Sequence, residues 1–220
     1  MNARPSQPFP FGSGQLDVHC LVTGPIQENT YLIRHSSGEA VLVDPGDDAD
    51  DILELIRITN SSVVAVLLTH AHFDHIGAVQ ATRTALRVPV YLHADAWTPF
   101  SRAHMAAERF NLPFTQPDPP EHALEPGAVR FGTLEFRALF TPGHAPGHIA
   151  LYHASGFVIS GDALFRGTVG RTDIPGADHA LLLERIKREL YTLPDETVVF
   201  PGHGASTTIG AEKRSNPHTQ

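Results

Sequence analysis

The sequence predicts an α/β protein built from two sheets packed face to face with helices outside. Two patterns carry this reading. Short apolar or alternating runs of strand type are interspersed with stretches of helical periodicity. Each half of the chain also presents strands first, a helix later and a strand again, with no visible sequence repeat.

Residues 1–15 are rich in Pro, Gly and Ser and contain no apolar h-region. They read as a flexible leader rather than a signal peptide, with one folded domain over 16–220. Residues 16–22, 30–35 and 40–43 are strands by pattern, with a turn at Ser36-Ser37-Gly38 and a stop at Asp44-Pro45-Gly46. Residues 48–58 form an amphipathic helix with Ile52, Leu55 and Ile56 on its apolar face. Residues 63–68 are continuously apolar and begin β-branched, as a buried strand requires. A helix over 76–86, with Gly77 near its start, and a strand over 89–92 follow. Residues 95–120 carry scattered aromatics and a proline-rich end. They are expected as a short helix plus an irregular excursion, either a flap over a site or an insertion packed on the core. The second half offers strands at 129–131, 134–140, 149–153 and 156–160, then a helix over 178–190 capped by Asp178, and a last clear strand at 197–200.

The 220 residues are 41% hydrophobic, enough for a substantial core. A net charge of −8 and the lack of any Lys/Arg-rich run weigh against a nucleic-acid partner. No apolar run is long enough to span a membrane. The lone cysteine, Cys20, rules out an intramolecular disulfide, and a cytoplasmic location is the default expectation.

Four polar clusters each follow a strand-like run: His70-Ala71-His72-Phe73-Asp74-His75, Gly143-His144, Gly161-Asp162 and Gly202-His203. Residues just past strand ends gather along one edge of a sheet, where α/β proteins place their sites. One histidine in such a place usually has an ordinary packing role. Here the polar positions crowd directly behind a buried strand, and packing does not explain them. Five imidazoles and two carboxylates, with no thiolate, suit borderline divalent ions. They are too many for one tetrahedral ion and fit two ions sharing a bridge. Zinc is the first expectation, with iron or manganese as alternatives. Two such ions bind a water between them, lower its pKa and polarise an electrophile.

THAHFDHIGA, TPGHAPGH, SGDALFRGTVGRTD and FPGHG together resemble the metallo-β-lactamase superfamily, and within it the small glyoxalase II-like hydrolases. The resemblance spans residues 16–217. It implies a four-layer αββα sandwich with metals at one edge. It also implies that His70, His72 and His144 hold one ion, that Asp74, His75 and His203 hold the other, and that Asp162 bridges them. By the same resemblance Asp44 supports a ligand histidine from behind, although Asp before Pro-Gly is equally a turn former. His148 is expected to structure its loop or to stand behind a ligand. Arg166 and Arg171 are candidates for contacting substrate, Arg171 also being a plausible ion-pair partner of Asp173. Full-length glyoxalase II continues into a helical glutathione-binding domain. This chain instead ends soon after His203 in a TTIG…EK…NP segment resembling the short members.

The expected activity is therefore a binuclear thioester hydrolase acting on an S-acyl glutathione such as S-lactoylglutathione, with Asp74 or Asp162 orienting or deprotonating water. The alternative is a mono-iron dioxygenase acting on glutathione persulfide, which the sequence also resembles. Its facial triad would be His70, His144 and Asp162.

Overall fold

The alternation of inward apolar and outward polar residues sets the layers. In the computed structural model, which describes residues 8–220, the first sheet runs β1 (Phe9–Phe11), β2 (Leu16–Thr23), β3 (Glu28–His35), β4 (Glu39–Val43), β5 (Ser62–Leu67), β6 (Val90–Leu92) and β7 (His122–Ala123), in that spatial order. Pairing is antiparallel as far as β4 and parallel from β4 to β7. The last three or four residues of β4 and β5 are continuously apolar and buried because both faces are covered there. The second sheet contains β8 (Gly127–Phe131), β9 (Leu134–Phe140), β10 (Ile149–His153), β11 (Phe157–Gly161), β14 (Val198–Pro201) and β15 (Thr207–Thr208), in the order β15-β14-β11-β10-β9-β8. A small hairpin, β12 (Leu164–Phe165) with β13 (Thr168–Val169), follows β11.

Between the sheets lies a core that includes Tyr31, Val43, Leu67, Phe136, Phe157 and Phe200. A second core joins the outer face of the first sheet to α1 (Ala49–Ile58), α2 (Phe73–Ile76), α3 (Val79–Leu86), α4 (Trp97–Ser101) and α5 (Ala103–Arg109). A third joins the second sheet to α6 (His179–Arg185), its π-helical continuation Ile186–Leu190, and α7 (Ile209–Ser215). The layers are αββα, as expected.

Three expectations need correction. Of the supposed leader, residues 1–7 lie outside the described residues, but Phe9–Phe11 is a strand paired with β2, and the Phe11 ring packs 4.8 Å from that of Phe157. The helix expected over 76–86 is two pieces. Gly77 and Ala78 are pressed against the Pro45-Gly46 backbone: Ala78 N–H donates to Pro45 O, and a Cβ at Gly77 would overlap Gly46 O. Finally, β15 and α7 follow the strand expected to be last.

Candidate metal centre

The β5 strand ends at Leu67, and residues 68–72 lead directly into α2, so His70, His72, Asp74 and His75 leave the sheet at one edge. The turns after β9, β11 and β14 bring His144, Asp162 and His203 to the same place from the other sheet. All seven residues expected from the motifs meet here. Ligand atoms of His70, His72, His144 and Asp162 lie within 4.8 Å of one another, as do those of Asp74, His75 and His203.

Hydrogen bonds behind the rings fix which nitrogens are bare. Thr69 N–H and Oγ1–H donate to the two oxygens of Asp44, at 2.7 and 2.6 Å. With its proton so used, Thr69 Oγ1 accepts from His70 Nδ1 at 2.9 Å, leaving His70 Nε2 a free lone pair. His144 Nδ1 donates to Arg171 O at 2.8 Å, which frees its Nε2 as well. Both bare nitrogens face His72 Nδ1, at 3.0 and 2.9 Å. One ring proton on His72 can serve only one of them.

His75 Nδ1 donates to Asp44 Oδ2 at 3.0 Å. On the other side of the ring, Nε2 lies 3.4 Å from Asp162 Oδ1, and neither atom has a hydrogen-bond partner. Buried polar atoms without partners are costly, so this arrangement fits a cation placed among them. The Asp162 carboxylate is shared, lying 3.4 Å from His144 and 3.7 Å from His203. His203 Nε2 stands 3.3 Å from Asp74 Oδ2. Two donor groups joined by one carboxylate could hold two divalent ions.

Proton affinities follow the same division. Burial lowers the pKa of His70 well below the ordinary imidazole value, and burial with the neighbouring His144 lowers His72 to about 3. Burial also opposes charge on His75 and His203. For His75 the Asp162 carboxylate and Asp44 outweigh it; for His203 the hydrogen bond to Asp74 and the charge of Asp162 do so, and both rings are raised. Burial would raise Asp162, but the surrounding His75, His144 and His203 hold it far below the carboxylate range. A metal bound at His75 and His203 would compete with the protons that these carboxylates favour there.

The metallo-beta-lactamase superfamily profile matches residues 23–203. The chain belongs to this superfamily. Hydroxyacylglutathione hydrolase GloC from Haemophilus influenzae is 33% identical over 207 residues, covering 92% of this chain and 97% of that protein. BLEG-1, a B3 metallo-beta-lactamase, superposes with a TM-score of 0.87 at 39% identity, over 91% of this chain and 98% of its own. TTHA1623 in a di-iron-bound form gives 0.83 at 48% identity, over 89% and 97%.

Within this metallo-beta-lactamase fold, the residues flanking the site divide cleanly. Asp44 stands behind His75 and also makes the turn, with a positive φ of 47°. His148 is wholly buried behind the centre: Asp162 N–H donates to its Nε2 at 3.1 Å, so the ring proton sits on Nδ1 and goes to Thr141 Oγ1. A Cβ on Gly202 would overlap Asp162 Oδ1. Arg166 is exposed and donates to Ser206 O, while Arg171 pairs with Asp173 at 2.8 Å, so neither is turned to the centre by a contact there.

Two buried polar residues were missed. Glu28 is 1% exposed, accepts from Thr23 and Thr30, and places Oε1 3.7 Å from His75 Nδ1; burial raises its pKa well above normal. Asn29 donates from Nδ2 to Pro201 O and Gly204 O, and from its backbone N–H to Gly202 O, gripping the His203 loop from the other sheet. The available signal was the polar Gln27-Glu28-Asn29 run opening an otherwise apolar strand.

Proposed function

We propose that this superfamily hydrolase is a binuclear, metal-dependent thioesterase acting in the cytoplasm on an S-acyl glutathione or related thioester. The observation carrying the proposal is the sharing of one buried carboxylate, Asp162, between two otherwise complete donor groups. His70, His72 and His144 would hold one ion, and Asp74, His75 and His203 the other. Two such ions, when bound, acidify a shared water and polarise a carbonyl oxygen.

The protein's own residues divide the remaining work. Asp44 and Thr69 lock the orientations and tautomers of His75 and His70. Asp162, enclosed by imidazoles, holds charge at the centre. Asp74 or Asp162 would orient the attacking water or take its proton, Asp74 being the more open of the two, its side chain 16% exposed against 9%. A thiolate is a stable leaving group, so cleavage needs no strong acid from the protein.

The relative with a di-iron centre supports keeping iron among the candidate metals. The second reading is a mono-iron persulfide dioxygenase using His70, His144 and Asp162, whose single ion the di-iron relative does not share. Likeness to BLEG-1 adds β-lactam hydrolysis as a further arm of the test. The test is metal analysis with parallel assays on S-lactoylglutathione, glutathione persulfide and a chromogenic cephalosporin. About two ions per chain with thioester cleavage is the expected result. One iron per chain with oxygen uptake on the persulfide and no thioester cleavage would reverse the choice.

A further inference from the structure

A cavity of about 260 Å³ opens beside Asp74. Its apolar wall comes from Ile26 in the turn between β2 and β3, from Phe73 at the start of α2, and from Leu112, Pro113 and Phe114. The Phe73 ring lies 5.5 Å from Phe110 and 6.4 Å from Phe114, so the wall continues into the excursion after α5. The turn carrying Ile26 is held in place: Gly24 N–H donates to Asp48 Oδ2 at 2.8 Å, and Gln27 N–H to Gly24 O at 3.2 Å.

The charge on this wall has one sign. Asp47 and Asp74 line the cavity, and among the described lining residues there is no Lys, Arg or His. Glutathione carries two carboxylates and one ammonium, and an apolar space with Asp47 at its edge and no basic side chain in its lining gives those carboxylates no partner, Asp74 being turned to His203. The occupant that fits is uncharged and apolar. Asp74, a proposed ligand, is among the lining residues, so a group seated in the cavity would lie next to the proposed metal centre.

Building on the thioesterase reading above, we infer that this cavity receives the acyl part of the substrate, and that the preferred acyl group is an uncharged alkanoyl or small aromatic chain, larger and less polar than lactoyl. The cavity is just below the volume range of about 300–1,000 Å³ typical for small-molecule sites, which suits a short to medium chain rather than a long lipid. Ile26 belongs to none of the hydrophobic cores, so its substitution reports on the cavity more than on folding.

The test holds an uncharged thiol constant, using N-acetylcysteamine thioesters of acetate, butyrate, hexanoate and succinate with metal-loaded protein. From acetyl to hexanoyl, kcat/KM should rise about two- to fourfold per methylene, the range given by burying one CH2. Succinyl should fall about tenfold or more below butyryl, from a carboxylate desolvated in an apolar space beside Asp47. Ile26→Arg should flatten the alkanoyl series and raise the succinyl-to-butyryl ratio. In parallel, NMR should detect hexanamide, which the protein cannot hydrolyse as a thioester, binding to the wild type and not to Ile26→Arg. A flat wild-type series, or hexanamide binding unaffected by Ile26→Arg, would overturn the inference. Hexanamide binding lost in Ile26→Arg, with no thioester cleaved, would leave the cavity assignment standing and sink the thioesterase reading instead.

Discussion

Asp44 reaches two of the rings from behind, one directly and one through Thr69. One carboxylate accepts from Thr69 N–H, Thr69 Oγ1–H and His75 Nδ1–H, and through Thr69 it also sets the tautomer of His70. Asp44→Asn puts an amide donor against groups that are themselves donating. Metal affinity should fall about 10- to 100-fold, the usual cost of losing a partner behind a ligand, as read by competition with a chelating dye. His148 offers a test by pH. In the unfolded chain its imidazole takes a proton near the ordinary value of 6.5, whereas burial and the nearby His144 push it down to about 3 in the fold. Between those values the unfolded state binds the extra proton, so this group makes stability fall as pH falls. Urea titrations of the metal-free protein should show a shallower loss of stability across that window for His148→Gln than for wild type. Equal slopes would show that His148 does not titrate this way.

Elements carry the second level of control. The TTIG…EK…NP ending works as a clamp. Glu212 is 2% exposed and accepts from Thr207 Oγ1 at 2.6 Å, Gly167 N–H at 2.9 Å and Asn216 Nδ2 at 2.8 Å. It thereby ties α7 to the β12–β13 hairpin that follows Asp162. Glu212→Ala should cost about 2–4 kcal/mol by stranding those donors, seen as a lower urea midpoint with an unchanged m-value. What the sequence made legible at this scale follows physical lines. The apolar run of β5, the Asp178 cap of α6 and the gathering of strand-end His and Asp residues are local patterns, and these stand where the residues put them. The break at Gly77, the N-terminal strand and the burial of Glu28 arise from contacts distant in sequence. Gly77 looks like a tolerable helix residue until the Gly46 backbone lies against it. Phe9 and Phe11 are hidden among Pro and Gly, and their packing on Phe200 and Phe157 is visible only once the sheets close. The excursion at 95–120 packs on the core in its helical part, as an insertion does. Phe100, Ala103 and Ala107 pack into the core, while Leu112 to Thr115 line the cavity beside Asp74.

At the scale of the whole molecule, the proposed ligands come from both sheets. His70, His72, Asp74 and His75 follow the first, and His144, Asp162 and His203 follow the second. The sheets also meet beneath the centre, where Tyr31 donates to Pro201 O at 2.7 Å and the Tyr31 and Phe200 rings lie 5.6 Å apart. Ions bound at this seam would hold the native arrangement and have no equal site in the unfolded chain. At about 1,000 times Kd, binding adds about 4 kcal/mol, roughly 8–16 °C in Tm for a chain of this size. Removing metal with a chelator should lower Tm by that order, and re-adding zinc should restore it. An unchanged Tm would mean that no ion bridges the seam.

Whether one carboxylate joins two ion sites can be read from anomalous X-ray diffraction by metal-loaded crystals. Two peaks are expected, one among His70, His72 and His144 and one among Asp74, His75 and His203, with Asp162 in contact with both. A single peak on His70, His144 and Asp162, with Asp74 and His203 bare at saturating metal, would contradict it.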